Sequence, residues 1–120
     1  MKALLLIAHG SRRESSNDEI RALTARVRAA SRRFELVRHA FLEMAQPDIG
    51  AAAAELTAAG ATDIVVLPYF LAAGNHLRVD IPEQLSRLKA QHPAANFTLA
   101  PHLGAAPNMP RLIHEHLDDV

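Results

Sequence analysis

The sequence predicts an α/β fold, a four-stranded parallel sheet with helices on both faces, and two observations carry that expectation. Strand-like and helix-like patterns alternate four times along the chain, as right-handed strand–helix–strand crossovers require. The opening strand is a continuous apolar run, Ala3 to Ala8, which suits burial on both faces and closes at once on His9-Gly10-Ser11.

The remaining elements follow from local signals. Ser16 and Glu19 read as a capping box, after which Ile20, Leu23, Val27 and Ala30 recur at helical spacing as far as Arg32-Arg33, a basic end that suits the helix dipole. Phe34 to Leu42 is rich in β-formers but interrupted by Glu35, Arg38 and His39, which places this strand nearer a sheet edge, ending at Glu43. Pro47 opens an alanine-rich helix from Asp48 to Ala59, with Gly60 where a C-terminal cap needs it. Thr62 to Tyr69 is the strongest strand, and Phe70 to Val79 reads as a loop. Asp80, Pro82 and Glu83 mark the start of a third helix that runs on through Leu85 and Leu88 to His92-Pro93. Asn96 to Ala100 predicts the fourth strand, and Met109 to Leu117 the last helix.

At 120 residues the chain is the size of one domain, expected to span residues 1–120. Hydrophobic residues make up 49% and charged residues 22%, a composition that supports a packed core. Thirteen basic residues balance thirteen acidic ones, so no overall basic field gathers nucleic acid or anionic membrane, and neither is expected as a partner. The absence of cysteine excludes disulfides, thiolate metal sites, iron–sulfur clusters and a cysteine nucleophile. The opening apolar run is too short for a signal peptide or a membrane span, and the expected compartment is the cytoplasm.

In parallel sheets ligands bind beyond the carboxyl ends of the strands, where strand order reverses. That rule singles out His9 after the first strand, Glu43 after the second, and the loop Phe70 to Asn75 leading to His76 after the third. Imidazole and carboxylate together suit cobalt, nickel, iron(II) or zinc and leave coordination positions open for an incoming ligand.

The same residues carry a resemblance. His9-Gly10-Ser11-Arg12, Phe41-Leu42-Glu43 and Leu71-x-x-Gly74-x-His76-x-x-x-Asp80-Ile81-Pro82 resemble, in order and spacing, the motifs of the small sirohydrochlorin chelatases, class II tetrapyrrole chelatases of the cobalamin and sirohaem pathways. The long third motif is the specific one, since His-Gly pairs after a first strand also occur in phosphatases and mutases. The resemblance covers nearly the whole chain. It implies a flavodoxin-like chelatase half-domain that pairs with a second copy as a homodimer, and metal binding by His9 and His76. It further implies that His9 accepts a proton, and that Glu43 and the loop Phe70, Leu71, Ala72, Ala73, Gly74 and Asn75 contact the tetrapyrrole.

Elementary chemistry agrees. Metallation exchanges two pyrrole N–H protons for one divalent cation, with cobalt expected as that substrate ahead of nickel and iron(II), and with no obligatory cofactor. A histidine, whose ordinary pKa is about 6.5, can serve as base or ligand. Glu43 can receive a proton, steer the metal or hold the ring. Sirohydrochlorin carries carboxylates around a flat apolar ring, so its pocket needs apolar walls, such as Leu42, Met44, Phe70 and Leu71, and cationic rim groups, such as Arg12 and Arg78. The small Ala72-Ala73-Gly74 stretch lets backbone approach the ring.

Two other readings use the same residues: a non-catalytic carrier of metal or tetrapyrrole, and a phosphate-handling enzyme with His9 as phosphoryl acceptor. The other histidines are expected to be structural or superficial. His39 lies within a strand and His92 at a helix C-terminus. His102 follows the fourth strand at the functional edge but is not expected to act. His114 and His116, two positions apart on a helix, point in different directions and do not share an ion.

Overall fold

A computed structural model describes residues 1–120, the side chain of His76 excepted. Four strands form one sheet in the order β2-β1-β3-β4, every neighbouring pair parallel: β1 (Lys2–Ala8), β2 (Leu36–Phe41), β3 (Asp63–Pro68) and β4 (Asn96–Leu99). Its four α-helices are α1 (Glu14–Ala30), α2 (Ile49–Ala58), α3 (Ile81–Gln91) and α4 (Met109–His116). The expected alternation and parallel sheet are both present. β1 pairs on both sides, and all its residues from Ala3 to Ala8 are buried. β2 is an edge strand, and the outward carbonyl of Val37 accepts hydrogen bonds from Arg28 of α1 (2.9 Å to Nη2), which occupies an acceptor that an edge would otherwise offer to another chain.

Alternate residues of β1 feed two cores. Leu5 and Ile7 join Ile64, Val66, Ile49, Leu56, Ile81, Leu85, Leu88 and Phe97 between the sheet and helices α2 and α3. Leu4 and Leu6 pack on the other face with Val37 and the half-buried Val27, Phe34, Val65, Leu67 and Tyr69 beside α1. Each fully buried Leu or Ile here is worth roughly 1.5–3 kcal/mol relative to exposure. α4 buries none of its residues.

α2 starts at Ile49, one residue later than the expected opening at Pro47-Asp48, and the expected glycine turn at its end is present. Asp48 caps α2, its carboxylate accepting from the Ala51 amide at 2.8 Å, and Gly60 takes the positive φ of +103° just past the helix end. The capping box at Ser16 and Glu19 did not form: α1 starts at Glu14 after Arg13, because the turn before it is held by Asn17 rather than by a helix cap. Asn17 and Thr24 are the buried residues of α1, whereas Ile20, Leu23 and Val27 are only half-buried. Asp80 likewise makes no side-chain cap to α3. The stretch expected as loop up to Val79 instead winds into a π-helical turn, His76–Asp80, that runs directly into α3. No helix among the described residues is long and apolar enough to cross a membrane.

Candidate functional site

Strand order turns back on itself between β1 and β3, since β2 lies on one side of β1 and the later strands on the other. The carboxyl ends of these two strands open into a cleft of about 280 Å³ lined by His9, Gly10, Ser11, Asn17, Tyr69 and Phe70, among others. A second cleft, of about 220 Å³, lies on the α3 side and is lined by Leu42, Glu43, Asp80, Glu83, Gln84 and Arg87. His9 and Glu43 join the two clefts.

The sheet itself brings that pair together. Beyond the last paired residues of β1 and β2, the Leu42 amide donates to the Ala8 carbonyl (2.9 Å) and the Glu43 amide to the His9 carbonyl (3.1 Å), so the ladder continues into the site. Gly10 makes this approach possible. Its φ is +91°, and a Cβ there would stand 1.8 Å from the Glu43 carbonyl oxygen. Met44, next in the chain, takes a left-handed φ of 65°, a conformation that costs a non-glycine residue on the order of 1 kcal/mol and turns the chain sharply after Glu43.

His9 Nε2 lies 3.2 Å from Glu43 Oε1, with both side chains nearly half exposed. His9 Nδ1 lies 3.1 Å from the Gly10 carbonyl oxygen. Carbonyl and carboxylate oxygens both only accept, so a neutral imidazole can donate to one of them and an imidazolium to both. With the hydrogen on Nδ1, Nε2 and Glu43 Oε1 are two electron-rich atoms that a proton or a metal ion can join.

The residue that holds the His9 turn is Asn17, which sequence reading missed. Only 1% exposed, it accepts from the Ser11 amide at 3.0 Å, donates to the Ser11 carbonyl at 2.8 Å, and donates to Glu14 at 3.3 Å. A polar residue among the apolar positions of α1 was the available signal, one turn after the His-Gly-Ser turn it serves.

Other expected site residues are distributed as follows. Phe70 lines the cleft with His9, and Leu71, Ala72, Ala73, Gly74 and Asn75 follow it as an exposed loop. The side chain of His76 lies outside the described residues; its backbone opens the π turn, whose last residue, Asp80, shares the cleft with Glu43. Among the described residues no three metal-ligating side chains converge on one point. Arg12 is exposed and lines neither cleft, whereas Arg87, on α3, is the basic residue beside Glu43. His92 caps the end of α3 with Nδ1 3.5 Å from Thr57 Oγ1, and His114 and His116 are exposed on α4. His39 packs edge-on to Phe41, both ring nitrogens are buried without a hydrogen-bond partner, and burial with the neighbouring Arg21 and Arg28 lowers its pKa below the ordinary 6.5.

Comparisons with known proteins converge on one group. The chain is 31% identical over 120 residues to the sirohydrochlorin cobaltochelatase of Sulfurisphaera tokodaii, covering 100% of this chain and 94% of that protein. A cobalamin (vitamin B12) biosynthesis CbiX protein from Marinobacter aquaeolei superposes with a TM-score of 0.86 at 28% identity, covering 99% of this chain and 96% of the other. The sirohydrochlorin chelatase SirB of Bacillus subtilis, solved in complex with cobalt, also superposes with a TM-score of 0.86, at 25% identity over 99% of this chain but 50% of its own; SirB is also solved with Fe3+. The chain thus spans about half the length of SirB. The profile of the CbiX family matches residues 3–120, and the chain belongs to that family.

Proposed function

We propose that this chain is a sirohydrochlorin chelatase, a metal-inserting enzyme acting as a single catalytic domain over residues 1–120 in cobalamin or sirohaem biosynthesis. The observation that carries the reading is the His9–Glu43 pair, 3.2 Å apart at the reversal point of the sheet and built to hold one cation between them. The reaction replaces two pyrrole N–H protons with one divalent ion, and this pair supplies a place for the ion and, once the ion has left, a base for one of the two protons. His9 Nε2 and His76 hold the incoming ion. As the ion passes to the ring nitrogens, His9 takes up a released proton and Glu43 stabilises the imidazolium, while the second proton leaves to water. The Nδ1–H contact to the Gly10 carbonyl keeps the imidazole in the tautomer that both roles need.

The flat ring lies across the edge between the clefts, against Phe70, Leu71 and the small residues up to Asn75, with Glu43 at its other side. Neither cleft reaches the roughly 300–1,000 Å³ of a pocket that encloses a small molecule, so the ring needs a second surface. A homodimer supplies it. α4 supports this: Leu112, Ile113 and Leu117 are about half exposed, and with Tyr69, Leu71 and Leu103 they line an apolar groove of about 420 Å³ beside the site loop. SirB, twice as long, has room for two such domains in one chain. The protein acts in the cytoplasm on a soluble macrocycle, and its metal is cobalt(II), with nickel(II) and iron(II) as competing substrates whose order follows site geometry and supply.

Purified protein given cobalt(II) and sirohydrochlorin should convert the free-base spectrum to that of the metallated ring. His9→Ala and His76→Ala should stay folded and lose about 10²–10⁴-fold in rate. Full activity in both would remove the assignment, and stoichiometric binding of metal or ring without turnover would make the protein a carrier.

A further inference from the structure

The loop that begins at Phe70 leaves the sheet with one conspicuous anchor, and it comes from the C-terminal segment. A 3₁₀ turn, Leu103–Ala105, follows β4, closed by hydrogen bonds from Ala105 to the His102 carbonyl and from Ala106 to the Leu103 carbonyl, both 3.0 Å. The amide of Gly104 donates to the Phe70 carbonyl at 3.0 Å. Its α-carbon lies so close to the next residue that a Cβ would meet the Leu71 carbonyl oxygen at 1.8 Å, its carbon at 2.5 Å and its α-carbon at 2.8 Å. Those are backbone atoms, which cannot rotate aside as a side-chain tip does. Leu103 adds an apolar contact surface, sharing a groove with Tyr69 and Leu71.

We propose that Gly104 is a positioning residue for the substrate: the 3₁₀ turn clamps the first two residues of the macrocycle loop and so sets the level at which Leu71 and the small residues after it meet the ring. The link to the reacting centre is Phe70, whose carbonyl is held by Gly104 while the residue lines the cleft shared with His9. Gly104 touches neither metal nor ring. It acts through the loop, and this role rests on residues 70–75 being the macrocycle contact. Gly74 forms a contrast within that loop, since a Cβ there would meet nothing within 4 Å; close packing is confined to the clamp.

The clamp is tested from both directions. Gly104→Ala overfills it, and Leu103→Ala loosens it without a clash. Displacing the loop, by about an ångström or more in Gly104→Ala, should raise KM for sirohydrochlorin about tenfold in that variant and about threefold in Leu103→Ala, with kcat changed less. Cobalt binding measured without the macrocycle should fall less than KM rises, because His9 lies on a segment the clamp does not touch, although His76 follows the loop directly. Amide hydrogen exchange of residues 70–75 should quicken in both variants. Unchanged KM and unchanged exchange would overturn the proposal, as would a cobalt affinity that falls in parallel with KM, which would place the effect in the whole fold. If Gly104→Ala does not fold, Leu103→Ala decides alone. If wild-type protein inserts no cobalt, the chelatase reading fails while the exchange comparison still judges the clamp.

Discussion

Asn17 shows how a single buried amide can set the position of a reactive group it never touches. Its side chain pairs with both backbone groups of Ser11, two residues beyond His9. Asn17→Ala should leave those groups unpaired at a cost of about 1–3 kcal/mol in thermal or urea unfolding. It should also weaken cobalt binding roughly 10–100-fold through a looser His9 turn. Asn17→Asp keeps the acceptor for the Ser11 amide but loses the donor and sets a second carboxylate beside Glu14, so it should not rescue the loss. His39 gives a pH prediction of definite sign. Burial, with Arg21, Arg28 and Arg38 nearby and only Glu55 opposing them, disfavours its charged form, so the folded protein binds fewer protons there than the unfolded chain. Stability should therefore fall as pH drops through 6.5, the ordinary imidazole value, and His39→Phe should flatten that part of a melting-temperature profile. A profile equally steep in the variant would move the effect elsewhere.

The turns between elements bear more of the chemistry than the elements do. Gly10→Ala should be among the most damaging small substitutions in the molecule, because a left-handed φ and a Cβ aimed at the Glu43 carbonyl act together. Loss of chelatase activity, with the helical circular dichroism signal retained, is the expected result. Much of this level was legible in the sequence: the buried first strand, the edge character of β2 and Gly60 each follow from chemistry carried by a few adjacent residues. The meeting of His9 with Glu43 was foreseeable only as a shared edge. Their 3.2 Å contact depends on ladder rungs formed by residues thirty-odd positions apart, which local pattern does not encode. The same limit hid Asn17, the clamp at Gly104 and the π turn. A helical period predicts which positions are apolar, but α1 spends a core position on an amide, and a π turn, His76–Asp80, runs into α3 where a loop was expected. The missing capping box has a related cause, for the Ser11–Asn17 bridge starts the helix before Ser16 can cap it.

On the scale of the molecule, one face of the structure is underused. α4 and the residue that follows it leave Leu112, Ile113 and Leu117 about half exposed. If a second copy covers that face, Ile113→Asp should shift the protein toward monomer in light scattering or sedimentation. It should also lower activity at dilute protein more than at high concentration, by mass action. A monomeric wild-type protein with full activity would show that one domain suffices. The continuation of the β1–β2 ladder through Leu42 and Glu43 has a consequence for temperature. If His9 and Glu43 bind the ion as proposed, the final rungs of the sheet are their own backbone, and fraying at this rim releases it. Warming should therefore erode cobalt affinity well before the protein melts, and bound cobalt should protect the Leu42 and Glu43 amides more than those at the far end of the same strands.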